Sequence, residues 1–276
     1  MKSVIVFPNC KINIGLHITR KREDGYHDLQ TIFYPLPLKD MLEVATRSDQ
    51  QQPVKFTMSG LPVAGDASNN LCLKAWQLLK TDFPQLPSLQ LHLHKNIPMG
   101  AGLGGGSADG AFTLKLLNDK YRLQLSEEQL LQYALQLGSD CPFFIPNTPS
   151  YATGRGELLA PVQLDLSAYS FALIHPSIHI STAWAFANIT PAESLLSLKD
   201  AITKPVEQWK DLISNDFEAP VCAHYPTLQK VKEDLYQAGA VYAAMSGSGS
   251  SFYGIFQKGK LDKALLRHYE SNMHIC

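Results

Sequence analysis

The sequence predicts an α+β fold in two parts, and three observations carry that expectation. Period-2 strands crowd the first third of the chain. A glycine-rich turn joins a strand to a helix at residues 98–107. A loop-like run of prolines and polar residues then sets off a second series of strands and helices, with a break expected near residues 155–165.

In chain order, Lys11–Ile18 alternates strictly. Ile12, Ile14, Leu16 and Ile18 share one face, and Lys11, Asn13 and His17 the other. Asp24-Gly25 suits a hairpin turn, with Tyr26-His27 just past it and residues 29–33 as the return strand. Residues 41–45 and 54–58 read as two more short strands. Leu71, Ala75 and Leu78 fall on one face of a helix capped by Asn69 or Asn70. Residues 89–94 alternate again, and a helix is expected to open after the glycine loop on Ser107 as cap. Ser126-Glu127-Glu128-Gln129 has the form of a capping box, and Gly138 suits the end of that helix. In the second part, residues 171–174, 241–245 and 252–256 read as strands. Residues 182–187, 212–219, 227–238 and 261–269 read as helices.

The totals narrow the function. The 276 residues carry a formal net charge of -1, with 45% hydrophobic and 18% charged residues. A neutral field does not steer a chain to nucleic acid or to a bilayer surface. Five scattered cysteines, with no CxxC spacing, predict neither a disulfide framework nor a zinc site. With no apolar run of transmembrane length and no secretory signal at residues 1–8, a cytoplasmic location is expected.

Five of the eighteen glycines lie within Pro98-Met99-Gly100-Ala101-Gly102-Leu103-Gly104-Gly105-Gly106-Ser107. A glycine turn feeding a helix start exposes backbone N–H groups at the positive end of the helix dipole, which suits phosphate. No Lys-Ser or Lys-Thr closes the loop as in Walker A. Several strands precede it, unlike a Rossmann loop. No V-A-I-K or H-R-D segment comes after it, as a protein kinase would require.

Phosphoryl transfer needs a phosphate cradle, a cation and a group to orient or deprotonate the acceptor hydroxyl. Lys11, beside Asn13 on a strand, and Asp140, in a Gly-Ser-Asp-Cys-Pro turn, can fill the last two roles. Residues alone leave the plain readings open: a solvated strand lysine and a helix-capping aspartate. His92 and His94 on a strand's polar face suit solvent better than metal, since no third ligand is well spaced. Tyr26-His27 suits stacking on a planar base, and Ser246–Ser251 is a second candidate backbone nest.

Taken together and in order, these stretches resemble the GHMP kinases (galactokinase, homoserine kinase, mevalonate kinase and phosphomevalonate kinase). The P-x-G-x-G-L-G-G-G-S loop is Pro98–Ser107, with Ala101 where some members have Gly. The Lys-x-Asn strand is Cys10–Leu16, followed by Arg22-Glu23-Asp24-Gly25-Tyr26-His27. The L-G-S-D-x-P-F-F segment is Leu137–Phe144, A-x-G-x-G-E is Ala152–Glu157, and N-D-L-E is Asn215-Asp216-Phe217-Glu218. The closing S-G-S-G segment, Ser246–Phe252, is one residue short, with Tyr253 in register.

The resemblance implies a two-domain α+β fold with a cleft between an N-terminal ATP-binding domain, 1–158, and a C-terminal domain, 159–276. It implies ATP, with Mg2+, on Pro98, Met99, Gly100, Ala101, Gly102, Leu103, Gly104, Gly105, Gly106, Ser107 and Ala108. It implies Lys11 and Asp140 as the catalytic pair, Tyr26 and His27 on a cytosine, and Asn13 and Thr182 near the acceptor. The implied reaction is ATP-dependent phosphorylation of the 2-hydroxyl of a cytidylyl-bearing methylerythritol unit. A homoserine or mevalonate acceptor, or a non-catalytic nucleotide binder, is the alternative. The small molecule is the expected partner, with no protein ligand for a metal identified. Asp109 departs from the neutral residue common in the loop's wake, and would either repel phosphate or help hold Mg2+.

Overall fold

A computed structural model describes residues 3–47, 52–63, 67–192 and 196–276. Among these the strands are β1 (Val4–Val6), β2 (Asn9–Lys21), β3 (His27–Lys39), β4 (Met41–Thr46), β5 (Val54–Gly60), β6 (Leu89–Lys95), β7 (Ser150–Thr153), β8 (Leu158–Pro161), β9 (Tyr169–Ile174), β10 (Tyr242–Met245), β11 (Phe252–Gln257) and β12 (Met273–Ile275). The helices are α1 (Leu71–Asp82), α2 (Gly105–Tyr121), α3 (Glu127–Leu137), α4 (Thr182–Ala187), α5 (Leu198–Ala201), α6 (Trp209–Leu212), α7 (Glu218–His224) and α8 (Pro226–Gln237). The chain forms two compact units that interleave in sequence. One comprises 1–10, 37–99 and 104–148, and the other 11–36, 100–103 and 149–276. β2 and β3 each have residues assigned to both units.

The first unit is built on the sheet β1-β4-β6-β5. β5 and β6 are parallel, as a strand–helix–strand crossover through α1 requires. The alternation in β6 is real: Leu89, Leu91 and Leu93 are buried. His92 and His94 face the hydroxyls of Thr57 and Ser59 on β5, at 2.8–2.9 Å. Asn70 caps α1 by accepting from Cys72 N, and Ser126 and Gln129 close the expected capping box on α3. α2 begins earlier than the Ser107 cap predicts. Its N-cap is Gly104 in the left-handed region (φ 69°), with no side-chain cap, so Ser107 lies inside the first turn. Glycine can take that backbone conformation without strain, and so the cap lies three residues sooner.

The second unit carries two sheets, β2-β3-β7-β8 and β10-β11-β9-β12. α8 packs on β10 and β11. Leu16 and Ile18 of β2 join one buried cluster with Ile174, Leu235, Phe252 and Phe256. The opposite face of β2 is buried as well, including Lys11, Asn13 and His17. Two helix expectations fail here. Residues 212–219 do not form one helix. Ile213 is extended, and Leu16 N donates to Ser214 O while Asp216 N donates to Leu16 O, so the segment pairs with β2 instead. Within residues 261–269, turns run into a 3-10 turn at Arg267–Asn272, and the chain then continues as β12, paired with β9.

Candidate functional site

The second unit brings together Lys11, Asn13, four residues of the glycine loop and the Ser246 nest. Lys11 is 3% exposed, and a buried ammonium needs partners. Its Nζ donates to Asn13 Oδ1 at 2.6 Å and to Gly102 O at 3.2 Å, and lies over the Phe33 ring. Asn13 is fixed in turn: its Nδ2 donates to Thr31 Oγ1 at 3.0 Å, and its carbonyl accepts from Tyr253 Oη at 2.9 Å. The plain reading of Lys11 as a solvated edge lysine is therefore excluded.

Three consecutive carbonyls of the glycine loop are turned into this unit. Ala101 O accepts from Ser251 N, Gly102 O from Ser246 Oγ and Lys11 Nζ, and Leu103 O from Lys11 N. In a planar trans peptide the N–H points opposite to the C=O, so the N–H groups of Gly102, Leu103 and Gly104 face the other way. Those donors suit a phosphate. Ala101 and Leu103 are themselves buried, and contribute backbone rather than side chain. Pro98 and Met99 precede this turn, and Met99 is exposed.

The nest of residues 246–251 joins β10 to β11 as a hairpin link. Ser246 Oγ accepts from Asn13 N at 3.2 Å, and Thr182 at the start of α4 faces Ser248 Oγ at 3.3 Å. Ser181 caps α4, accepting from Trp184 N.

The hairpin turn before β3 presents Tyr26 and His27. Asp24 Oδ1 accepts from Tyr26 N at 3.1 Å, and the Arg22 guanidinium bonds Asp24 and Asp28. Tyr26 is 56% exposed, with the Arg155 guanidinium over its ring. The His27 ring stacks on Phe186, with centroids 4.7 Å apart and planes at 19°. Burial, followed by the charge of Lys21, holds the His27 imidazole below its ordinary range, so it is neutral at neutral pH. A neutral imidazole offers one donor and one acceptor, which suits the polar edge of a neutral base. Phe186 was invisible to sequence reasoning; its only signal is its place on α4, four residues after Thr182.

The first unit holds the other half of the predicted residues. Gly105, Gly106, Ser107 and Ala108 form the first turn of α2, where backbone donors and dipole favour anions. Asp140 sits half-buried in the turn between α3 and a 3-10 turn at Pro142–Phe144. Cys141 N donates to Gly138 O at 3.1 Å, and the ring of Pro142 stiffens the start of the 3-10 turn. The Cys141 thiol is hydrogen-bonded to Ser107, and burial pushes it up to about 12, which makes it an inert packing group. Asp140 thus lies in a turn whose backbone is closed by its neighbours in the chain.

Asp109 neither repels phosphate nor awaits a metal. It is 2% exposed, and its Oδ2 accepts from Lys95 Nζ at 2.7 Å inside the unit. Among the described residues no group of three His, Cys, Asp or Glu side chains could hold a metal ion, and no helix is long and apolar enough to cross a membrane.

Comparison with known proteins agrees with this arrangement. The family models for the GHMP kinases N terminal domain and the GHMP kinases C terminal region match residues 70–146 and 197–274. A 4-diphosphocytidyl-2-C-methyl-D-erythritol kinase of Bacteroides fragilis is 51% identical, over 92% of each chain. One of the same name from Porphyromonas gingivalis is 42% identical, over 95% of this chain and 96% of its own. A crystal structure of a 4-(cytidine 5'-diphospho)-2C-methyl-D-erythritol kinase superposes with a TM-score of 0.84 at 28% identity, covering 99% of this chain and 97% of the other. The mevalonate kinase of Methanococcus jannaschii shares the fold, with a TM-score of 0.72 at 13% identity, over 100% of this chain and 97% of its own.

Proposed function

The chain belongs to the GHMP kinases, and on that footing we propose that it transfers the terminal phosphoryl group of ATP to the 2-hydroxyl of 4-diphosphocytidyl-2-C-methyl-D-erythritol, a step in isoprenoid precursor synthesis. The observation that carries this reading is the 51% identity, over 92% of both chains, to a relative of that name. The His27–Phe186 stack, with a neutral imidazole, supports a cytosine-bearing acceptor over homoserine or mevalonate, which have no base to stack.

Residues 98–108 are proposed to hold the nucleotide's phosphates through backbone donors. Lys11 is proposed to stabilise the charge that develops on the transferring group, and Asp140 to orient or deprotonate the acceptor hydroxyl. Tyr26 and His27 are proposed to bind the cytosine, and Asn13 and Thr182 to lie near the acceptor. Mg2+ is proposed to be carried chiefly by the nucleotide, where it would neutralise phosphate charge. The chain's near-neutral charge supports a small-molecule partner rather than nucleic acid or a membrane surface, and the proposed location is the cytoplasm.

A coupled assay of ADP release with the cytidylyl acceptor, homoserine and mevalonate tests the reading. Turnover is expected with the first alone. Asp140→Asn is expected to lower that turnover by about 10²-fold or more while ATP still binds. ADP release that favours another acceptor overturns the substrate assignment, and wild-type turnover in Asp140→Asn removes the proposed base.

A further inference from the structure

Asn215 is 5% exposed and makes three hydrogen bonds with its side chain. Its Nδ2 donates to Met245 O and to Gly247 O, both at 2.8 Å, and its Oδ1 accepts from Phe217 N at 3.0 Å. Its own backbone is mounted on β2. Leu16 N donates to Ser214 O, Asp216 N donates to Leu16 O, and Asp216 Oδ2 accepts from Ile18 N. The two carbonyls held by Asn215 bracket Ser246. Ser246 Oγ accepts from Asn13 N and donates to Gly102 O, the same carbonyl that accepts from Lys11 Nζ. The amide thus fastens the second glycine loop to the strand that carries Lys11 and Asn13.

We propose that Asn215 is a positioning residue for phosphoryl transfer, setting the backbone of residues 246–249 against Lys11, Asn13 and Gly102. This rests on the reading of Lys11 as part of the reaction site. The fit is close enough to transmit a displacement. A Cβ on Gly247 would lie 3.2 Å from Gly102 Cα and 3.4 Å from Asn13 Oδ1, so a small movement of the loop reaches both residues. The chemistry also demands an amide. Only Asn or Gln supplies two N–H donors and an acceptor from one uncharged group. An ionised aspartate has no donor, and a protonated one has a single donor, so Asn215→Asp converts the fastening into one that acid can partly restore.

The test uses the full chain and three variants: Asn215→Asp, Asn215→Ser and, as a control on the same segment, Asp216→Asn, which loosens the attachments to Ile18 N and His17 Nδ1 without touching the loop. Thermal melting, kcat and KM for the cytidylyl acceptor against pH, and amide hydrogen exchange at 246–249 are measured for each. Asn215→Asp is expected to lose about 10²-fold in kcat at pH 8, with a smaller change in KM, because misplacement costs rate more than binding. Its kcat should recover, relative to wild type, as pH falls and the carboxyl protonates, and exchange at 246–249 should quicken. Asp216→Asn should melt earlier with kcat unchanged.

A folded Asn215→Asp with wild-type kcat and exchange overturns the proposal. So does an equal kcat loss in Asp216→Asn, or a loss that acid does not relieve. If Asn215→Asp does not fold, Asn215→Ser decides by the same kcat and exchange criteria. If the wild type fails to phosphorylate the acceptor, the functional reading falls, and exchange at 246–249 still decides whether Asn215 holds the loop.

Discussion

Asp109 Oδ2 lies 2.7 Å from Lys95 Nζ, and the same ammonium is bonded on its other side by Asp40. The three side chains are between 0% and 3% exposed. The two carboxylates are not equivalent. Asp40 Oδ1 also accepts from Asn96 N at 2.6 Å and Ile97 N at 2.8 Å, whereas Asp109 Oδ1 has no partner. Burial, opposed by Lys95 and reinforced by the charge of Asp40, therefore pushes the Asp109 carboxyl up to about 8. Burial works against the Lys95 ammonium, but the two carboxylates outweigh it and raise it. The triad ties the end of β6, just before the glycine loop, to the start of α2, just after it.

Lys95→Met should therefore be severe, since it leaves the Asp40 carboxylate buried without a cation and the Asp109 carboxyl without its donor. Breaking one side of a buried ion pair costs about 3–5 kcal/mol. The pH dependence has a definite sign. Between the ordinary carboxylate range and about 8, native Asp109 holds a proton that the unfolded chain has lost. The native state then binds more protons, so stability falls as pH rises through that window and levels above it. Thermal melts from pH 5 to 9 should show this slope in the wild type and a flatter curve in Asp109→Asn. Parallel curves would mean that Asp109 is ionised throughout.

What the sequence made legible was local periodicity and caps. The alternation of β6, the Asn70 cap and the Ser126–Gln129 box all depend on residues within a few positions of one another, and each is present. What it hid depends on partners far along the chain. Asp109 looked exposed to phosphate because its partner Lys95 lies fourteen residues back and Asp40 farther still. Residues 212–219 have helical composition, but β2 offers backbone partners about two hundred positions away, and Asn215 finds its carbonyls thirty residues on. At the candidate site, Lys11 and Asn13 were legible as a pair on one strand face. Phe186 was not, because stacking on His27 leaves no trace in spacing.

Gly102→Ala should disable the site while leaving the fold. Gly102 has φ +78°, and a Cβ there would lie 2.0 Å from Ser246 O, a backbone atom that cannot swing away. The left-handed conformation alone costs a side chain roughly 1–2 kcal/mol. The clash must then separate Gly102 from Ser246 and disturb Lys11 through the shared carbonyl. Turnover is expected to fall by about 10²-fold. Gly100→Ala is the instructive comparison, since its Cβ would meet nothing nearer than His179 at 3.7 Å, though φ is +65°. It should retain more activity than Gly102→Ala when both are assayed for ADP release, and equal losses would argue that strain alone, not contact with Ser246, is responsible.

His27→Ala separates the two substrates. The imidazole stacks at 4.7 Å on Phe186, which is braced edge-on by Phe217 at 4.9 Å and 90°. Removing a stacked ring and its hydrogen bond forfeits about 1–3 kcal/mol, or roughly 10- to 100-fold in affinity. The KM for the cytidylyl acceptor should rise by that factor while the KM for ATP stays put. Because burial and Lys21 hold the ring below its ordinary range, it gains a proton only in more acidic solution than a free histidine would. The acceptor KM of the wild type should therefore be level through neutral pH and rise only below it, and His27→Ala should lose that acid limb. Steady-state kinetics with each substrate varied from pH 5.5 to 8.5 measure both effects. Equal changes in the two KM values, or an acid limb that survives in the variant, would remove His27 from the base-binding role.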